Sequence, residues 1–265
     1  MEEDLFVTMV QPDIIWERID DNLSMYEGLL GLLKDKTDLI ILPEMFTTGF
    51  SMNPSRHAEK PDGKTVQWMA SLADEYRCVI TGSIIIEEKK CFYNRLIWMK
   101  PDGSYSWYDK RHMFRMGKEH RSYNAGKSKL ITELRGWNIC PLICYDLRFP
   151  VWSKNRYSDS RWDYDALIYV ANWPAVRNRA WSVLLSARAI ENQAYVVGVN
   201  RVGTDGNDTC YSGNSVAVSS TGNIISICDE GQVTIKTVTL SRTDLMENRN
   251  KLQAGKDWDQ FNIVI

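Results

Sequence analysis

Apolar positions recur along this chain with two periods. Short unbroken apolar runs predict strands over residues 5–10, 39–42, 78–86, 137–143, 166–171 and 195–200. Between them, apolar residues return every three or four positions. Ile19, Leu23, Tyr26, Leu29, Leu30 and Leu33 predict a helix over 16–33, and similar spacing predicts helices over 65–76 and 177–192. The pair 92–99 and 105–108, joined by Pro101-Asp102-Gly103, predicts a hairpin. A shorter helix is expected over 149–156, where Pro150 suits a first turn, and closing strands over 211–219 and 232–240. Continuous apolar strands alternating with amphipathic helices predict an α/β fold whose sheets are covered on both faces. No linker-like stretch or composition break divides the 265 residues, so one domain over 1–265 is expected. Residues 47–63 lack periodicity and are expected to form a long loop, a frequent setting for function.

Composition narrows the functional classes. The formal net charge of −2 gives no field suited to nucleic acid or a membrane surface. The acidic start Met1-Glu2-Glu3-Asp4 lacks the basic opening of a secretory signal, and no run of about 18 apolar residues is present. A cytoplasmic chain is expected. The six cysteines (78, 91, 140, 144, 210 and 228) match no metal-ligand spacing and are expected to stay reduced.

Three chemically competent side chains follow apolar strands. Glu44 follows 39–42, Lys110 follows 104–108, and Cys144 follows 137–143. Ligands in open α/β folds bind outside the carboxyl ends of strands, so the three can meet if those strands are close. They are also complementary: a carboxylate can take the thiol proton, and an ammonium can hold a thiolate and an oxyanion. His57, His112 and His120 have no evident partner pattern, which makes a Cys–His dyad less economical. Position alone does not decide the matter, because a cysteine ending a buried strand is more often core, and a strand-end glutamate or lysine is more often solvated.

The blocks around these residues are more specific. Leu42-Pro43-Glu44-Met45-Phe46, Asp109-Lys110-Arg111-His112-Met113-Phe114 and Ile143-Cys144-Tyr145-Asp146-Leu147-Arg148-Phe149-Pro150 resemble, in order and spacing, the three signature blocks of the nitrilase (carbon–nitrogen hydrolase) superfamily. The resemblance extends over essentially the whole chain. Lys110 to Met116 and Val170-Ala171-Asn172-Trp173-Pro174 are most similar to its bacterial omega-amidase branch.

The resemblance implies a four-layer α/β/β/α sandwich of two mixed sheets and a homodimer or higher homo-oligomer. It implies Glu44 as general base, Lys110 as oxyanion partner, Cys144 as nucleophile and the Tyr145 N–H as second oxyanion donor. Glu119 best matches a further glutamate that positions substrate or water. No cofactor and no metal are implied. The branch hydrolyses the terminal amide of 2-oxoglutaramate and 2-oxosuccinamate. Such a substrate carries a carboxylate, for which Arg148 and then Arg177 are the candidate holders. Asn172, Trp173 and Phe46 are expected at the substrate pocket. Rival readings keep the site with a carbamoyl amino acid, aliphatic amide or nitrile as substrate, make the chain a silent binding subunit, or use His112 and His120 in a metal hydrolase.

Overall fold

The computed structural model describes residues 3–264, so Met1, Glu2 and Ile265 lie outside the described residues. Twelve strands build two large sheets: β1 (Leu5–Gln11), β2 (Leu39–Ile41), β3 (Val79–Glu88), β4 (Cys91–Met99), β5 (Tyr105–Asp109), β6 (Thr132–Leu134), β7 (Trp137–Ile143), β8 (Ala166–Val170), β9 (Tyr195–Val199), β10 (Val216–Val218), β11 (Ile224–Ile227) and β12 (Thr234–Leu240). The first sheet has the order β12-β1-β2-β3-β4-β5 and the second β11-β10-β9-β8-β7-β6. Their central strands run parallel and their outer strands antiparallel. The longer helices are α1 (Ile19–Leu30), α2 (Lys64–Tyr76), α3 (Asn178–Asn192) and α4 (Arg242–Leu252).

Alternation along one short strand explains the layering. Leu39 and Ile41 of β2 join Val7, Leu96 and Trp98 in a core shared with Leu142 and Leu167 of the other sheet. Ile40 and the following Leu42 face the opposite way, into a core with Leu23 and Tyr26 of α1 and Met69 and Leu72 of α2. Trp181, Leu185 and Ala189 of α3 pack on the second sheet. The result is the expected four-layer sandwich, with both faces of each central strand buried.

Several expected boundaries move for identifiable reasons. The first helix begins at Ile19, later than expected, because the Asn22 side chain bonds both the N–H and the carbonyl of Ile15 and holds the preceding chain in a turn. The helix expected over 149–156 is one turn, Pro150–Ser153, because Asn155 is drawn away by bonds to Asn192 and Tyr164. The strand expected over 211–219 is split. Gly213 (φ +76°) and Asn214 (φ +59°) turn the chain between Cys210–Ser212, which pairs with Val202–Thr204, and β10. A Cβ on Gly213 would stand 2.4 Å from the Gln11 side chain, so the turn needs glycine for space as well as for its backbone. The loop over 47–63 contains one helical turn, Pro54–His57, and is tied to β3 through Glu59.

Candidate active site

Glu44, Lys110, Glu119 and Cys144 come together where strands of both sheets end. Glu44, Lys110 and Glu119 are wholly buried. The Lys110 ammonium donates to Glu44 Oε1 at 2.7 Å and to Glu119 Oε1 and Oε2 at 2.9 and 3.0 Å. Asn94, on β4, donates its Nδ2 to Glu44 Oε1 at 2.8 Å and to Glu119 Oε1 at 3.3 Å. Glu44 Oε2 accepts the Asn172 N–H at 2.9 Å, and the Asn172 amide donates to the Glu44 carbonyl at 2.6 Å. Glu119 Oε2 also accepts the Phe114 N–H at 2.6 Å. Two carboxylates thus share one ammonium and accept from donors at each oxygen, which is what buried charge requires.

Cys144 follows β7 in a left-handed conformation, φ +43°, and opens a 3₁₀ turn, Cys144–Arg148. A bulky non-glycine residue holds such a conformation only where its surroundings impose it. Burial pushes the thiol well above its ordinary range and Glu44 adds to the rise, while Lys110 opposes it. The sulfur therefore stands beside the Glu44 carboxyl and the Lys110 ammonium. For Lys110, burial works against the charge, but Glu119 and Glu44 outweigh it and hold the ammonium protonated. Glu119 is pushed up by burial against the opposing pull of Lys110.

Cys144 lies in the wall of a cavity of about 700 Å³. Phe50, Phe114, Tyr145, Trp173, Arg148 and Arg177 line it as well. Phe50 also covers Lys110, whose Nζ is 5.2 Å from the ring centre. The guanidinium of Arg148 sits over Trp173 at 5.0 Å, and that of Arg177 over Phe114 at 5.4 Å. Both arginines therefore stand at the cavity on aromatic supports. Trp173 is fixed from below by Asn200, which accepts its N–H at 2.8 Å and donates to its carbonyl at 3.0 Å.

Phe46 corrects one expectation. It does not line the cavity but lies fully buried beneath the helices, 5.5 Å from Tyr26 and 6.0 Å from Trp68 between ring centres. Met45, with φ +42°, turns the chain after Glu44, so the carboxyl meets Lys110 while the phenyl ring enters the core with Tyr26 and Met69. Asn172 lines the cavity and also bonds Glu44 on both its backbone and side-chain sides. The histidines are engaged elsewhere or exposed: His57 meets Glu17 at 3.1 Å, His112 meets Asp146 at 2.7 Å, and His120 is exposed. Sequence reading assigned no role to Asn94 or Asp146. Asn94 is one buried polar residue within a strand, visible only once both strand faces are known to be covered. Asp146 stood inside the third block, where its neighbour Cys144 drew the chemistry.

The chain matches the carbon–nitrogen hydrolase family model over residues 6–249. It is 44% identical over 259 residues to the omega-amidase YafV of Escherichia coli (strain K12), covering 98% of each chain. It is 29% identical to the 2-oxoglutaramate amidase of Bacillus subtilis (strain 168), over 83% of this chain and 84% of that one. Among solved structures it is similar to XC1258 from Xanthomonas campestris, a CN-hydrolase superfamily protein with an arsenic adduct in its active site. The TM-score is 0.96 at 42% identity, over 99% of this chain and all of that one. The chain belongs to the carbon–nitrogen hydrolase family and is a hydrolase of carbon–nitrogen bonds.

Proposed function

We propose that this protein is a thiol-dependent amidohydrolase that cleaves the terminal amide of a small carboxylated substrate such as 2-oxoglutaramate or 2-oxosuccinamate. The observation that carries the reading is Cys144 in the cavity wall, backed by the buried Glu44–Lys110–Glu119 cluster, with two arginines at the same cavity. The relatives named omega-amidase and 2-oxoglutaramate amidase support the substrate class.

In this mechanism Glu44 takes the Cys144 proton as sulfur attacks the amide carbon. The carbonyl π pair moves to oxygen, and Lys110 and the Tyr145 N–H hold the resulting oxyanion. Such a donor is typically worth about 3–4 kcal/mol, or 10²–10³ in rate. The oxyanion collapses, the carbon–nitrogen bond breaks, and Glu44 returns its proton to the departing nitrogen, which leaves as ammonia. Glu44 then takes a proton from water as the water oxygen attacks the thioester. Collapse of the second oxyanion expels sulfur, which regains the proton, and the acid departs. Glu119 steadies Lys110. Arg148, with Arg177 beside it, holds the distal carboxylate as a planar fork. Trp173 and Tyr145 supply the walls.

The free thiols suit a reducing cytoplasm. Among the described residues no helix is long and apolar enough to cross a membrane. We also infer a homodimer. Exposed Val183 and Ile190 of α3 border a groove of about 610 Å³ with exposed Ile224 and Ile227 of β11, an apolar strip suited to a second copy. Sedimentation velocity reading a monomer at micromolar concentration would end that inference.

The deciding test is ammonia release from 2-oxoglutaramate, glutamine, a simple aliphatic amide, an N-carbamoyl amino acid and a nitrile. Highest kcat/KM on 2-oxoglutaramate is expected, with loss of turnover in Cys144→Ala and a raised KM in Arg148→Ala. Preference for the ureido compound or the nitrile would replace the substrate. Full activity of Cys144→Ala would remove the mechanism.

A further inference from the structure

The two halves of the site come from different sheets. Lys110 follows β5 in one and Cys144 follows β7 in the other. Among the described residues no strand ladder joins the two, so side-chain contacts must set the distance between ammonium and sulfur. Asn172 crosses the seam to Glu44, and a buried carboxylate crosses it to the lysine segment. Asp146 is fully buried and lies two residues after Cys144. Its Oδ2 accepts the Tyr108 hydroxyl at 2.7 Å and the Ile143 N–H at 3.1 Å. Its Oδ1 accepts the His112 N–H at 3.0 Å and stands 2.7 Å from His112 Nδ1. Tyr108 is two residues before Lys110, His112 is two residues after it, and Ile143 immediately precedes Cys144. The carboxylate therefore grips the chain on both sides of the lysine and directly before the nucleophile.

Each grip is itself locked. The Tyr108 hydroxyl also accepts the Trp152 indole N–H at 3.0 Å and the Arg111 N–H at 3.2 Å. The His112 ring stacks on Phe149 at 3.7 Å, with planes 6° apart. Phe149 caps the turn that carries Cys144. Asp146 lines no part of the cavity, so it acts through other residues.

We propose that Asp146 is a positioning residue that fixes Lys110 against Cys144, with Tyr108 and His112 as its two grips on the lysine segment. The proposal rests on the thiol mechanism above. It makes the hold of the ammonium on the thiolate and the oxyanion depend on a carboxylate that never meets substrate.

Asp146→Asn tests it, because one half of the amide becomes a donor and must face a backbone N–H, that of His112 or that of Ile143. The measurements are kcat and KM on the best amide of the panel, the pH dependence of Cys144 alkylation by iodoacetamide followed by peptide mass, and Tm. A displacement of about 1 Å costs about 10² in rate, so kcat should fall about 100-fold while KM stays within about threefold. The alkylation midpoint should move up, because Lys110 opposes the rise of the thiol. Tyr108→Phe, which deletes one grip, should lower kcat about 10-fold. The double variant should be no slower than Asp146→Asn alone, since both act on one linkage.

A variant with lowered Tm but kcat per reactive thiol near the parent value would overturn the proposal, as would losses that multiply in the double variant. If Asp146→Asn does not fold, Tyr108→Phe with unchanged kcat and unchanged alkylation midpoint overturns it. Cys144→Ala is run alongside: turnover surviving there defeats the thiol mechanism itself, whereas the alkylation profile reports on Asp146 without any substrate.

Discussion

Replacing Lys110 by Met probes the electrostatic core of the site. The substitution keeps an unbranched chain of similar length and removes one charge. The lost ammonium makes three contacts of 2.7, 2.9 and 3.0 Å to two wholly buried carboxylates. Without it, Glu44 and Glu119 face each other with the Asn94 amide between them. Two carboxylates so placed do not both stay ionised, and one takes up a proton. Burial already holds Glu119 above the usual carboxylate range against the pull of Lys110, so losing Lys110 raises it further. A carboxyl raised in the folded state contributes stability that is present at low pH and lost as pH rises through the raised value. The variant is therefore weakest relative to the parent at neutral and alkaline pH and recovers toward the ordinary glutamate range. Removing one partner of a buried ion pair costs about 3–5 kcal/mol. At about 2–4 °C per kcal/mol for a domain of this size, Tm should drop by roughly 6–20 °C at high pH. Calorimetry of both proteins at about pH 5 and about pH 8 reads the gap directly. A gap that is equal at the two values, or wider in acid, would refute the account of a shared ammonium.

Further outcomes follow from the same geometry. Phe46→Ala should lower stability by about 3–5 kcal/mol, as for other buried aromatics, while leaving KM unchanged; denaturant unfolding and steady-state kinetics check both halves. Asn94→Ala removes a donor shared by two carboxylates and should lower kcat roughly 10- to 100-fold, the equivalent of about 1.5–3 kcal/mol for a hydrogen bond to charge. Because burial and Glu44 hold the Cys144 thiol high, its alkylation by iodoacetamide should keep accelerating above pH 9 with no plateau near neutrality. Fast, pH-independent labelling at neutral pH would contradict this.

The parts of the fold legible in the sequence are those where one physical signal dominates. β1, β2, β7, β8 and β9 are apolar on both faces, and α2 and α3 carry their buried residues at helical spacing, so their positions follow from hydrophobic pattern. The missed elements have weak patterns. β6 and β11 are edge strands with exposed positions. α4 buries one apolar side chain, Leu245, and docks mainly through Arg249 and Arg242, which meet Asp165 at 2.6 and 3.1 Å. Periodicity of apolar residues cannot detect a helix held by buried arginines. In the site, strand ends exposed Glu44, Lys110 and Cys144 as candidates, and motif resemblance chose among the bland alternatives. Phe46 failed because a one-residue left-handed turn at Met45 reverses the inward face, and nothing in the residue types signals that.

Cys140 and Cys144 show what separates the proposed nucleophile from a core thiol in this molecule. Both are buried, and burial raises both, Cys140 to about 12. Perturbation of the thiol therefore does not separate them, and neither does their four-residue spacing on the same segment. The difference lies in the neighbours. Cys140 sits within β7 among apolar side chains, with Lys129 as its largest opposing charge. Cys144 sits one step past the strand, in a turn that brings it to Lys110 and Glu44 from the other sheet. A thiol held high alone is inert. In the proposed mechanism, a thiol held high beside a carboxylate that can take its proton and an ammonium that can hold the resulting charge is poised for attack when substrate arrives, and that setting comes from the packing of two sheets together with the residues that follow Cys144.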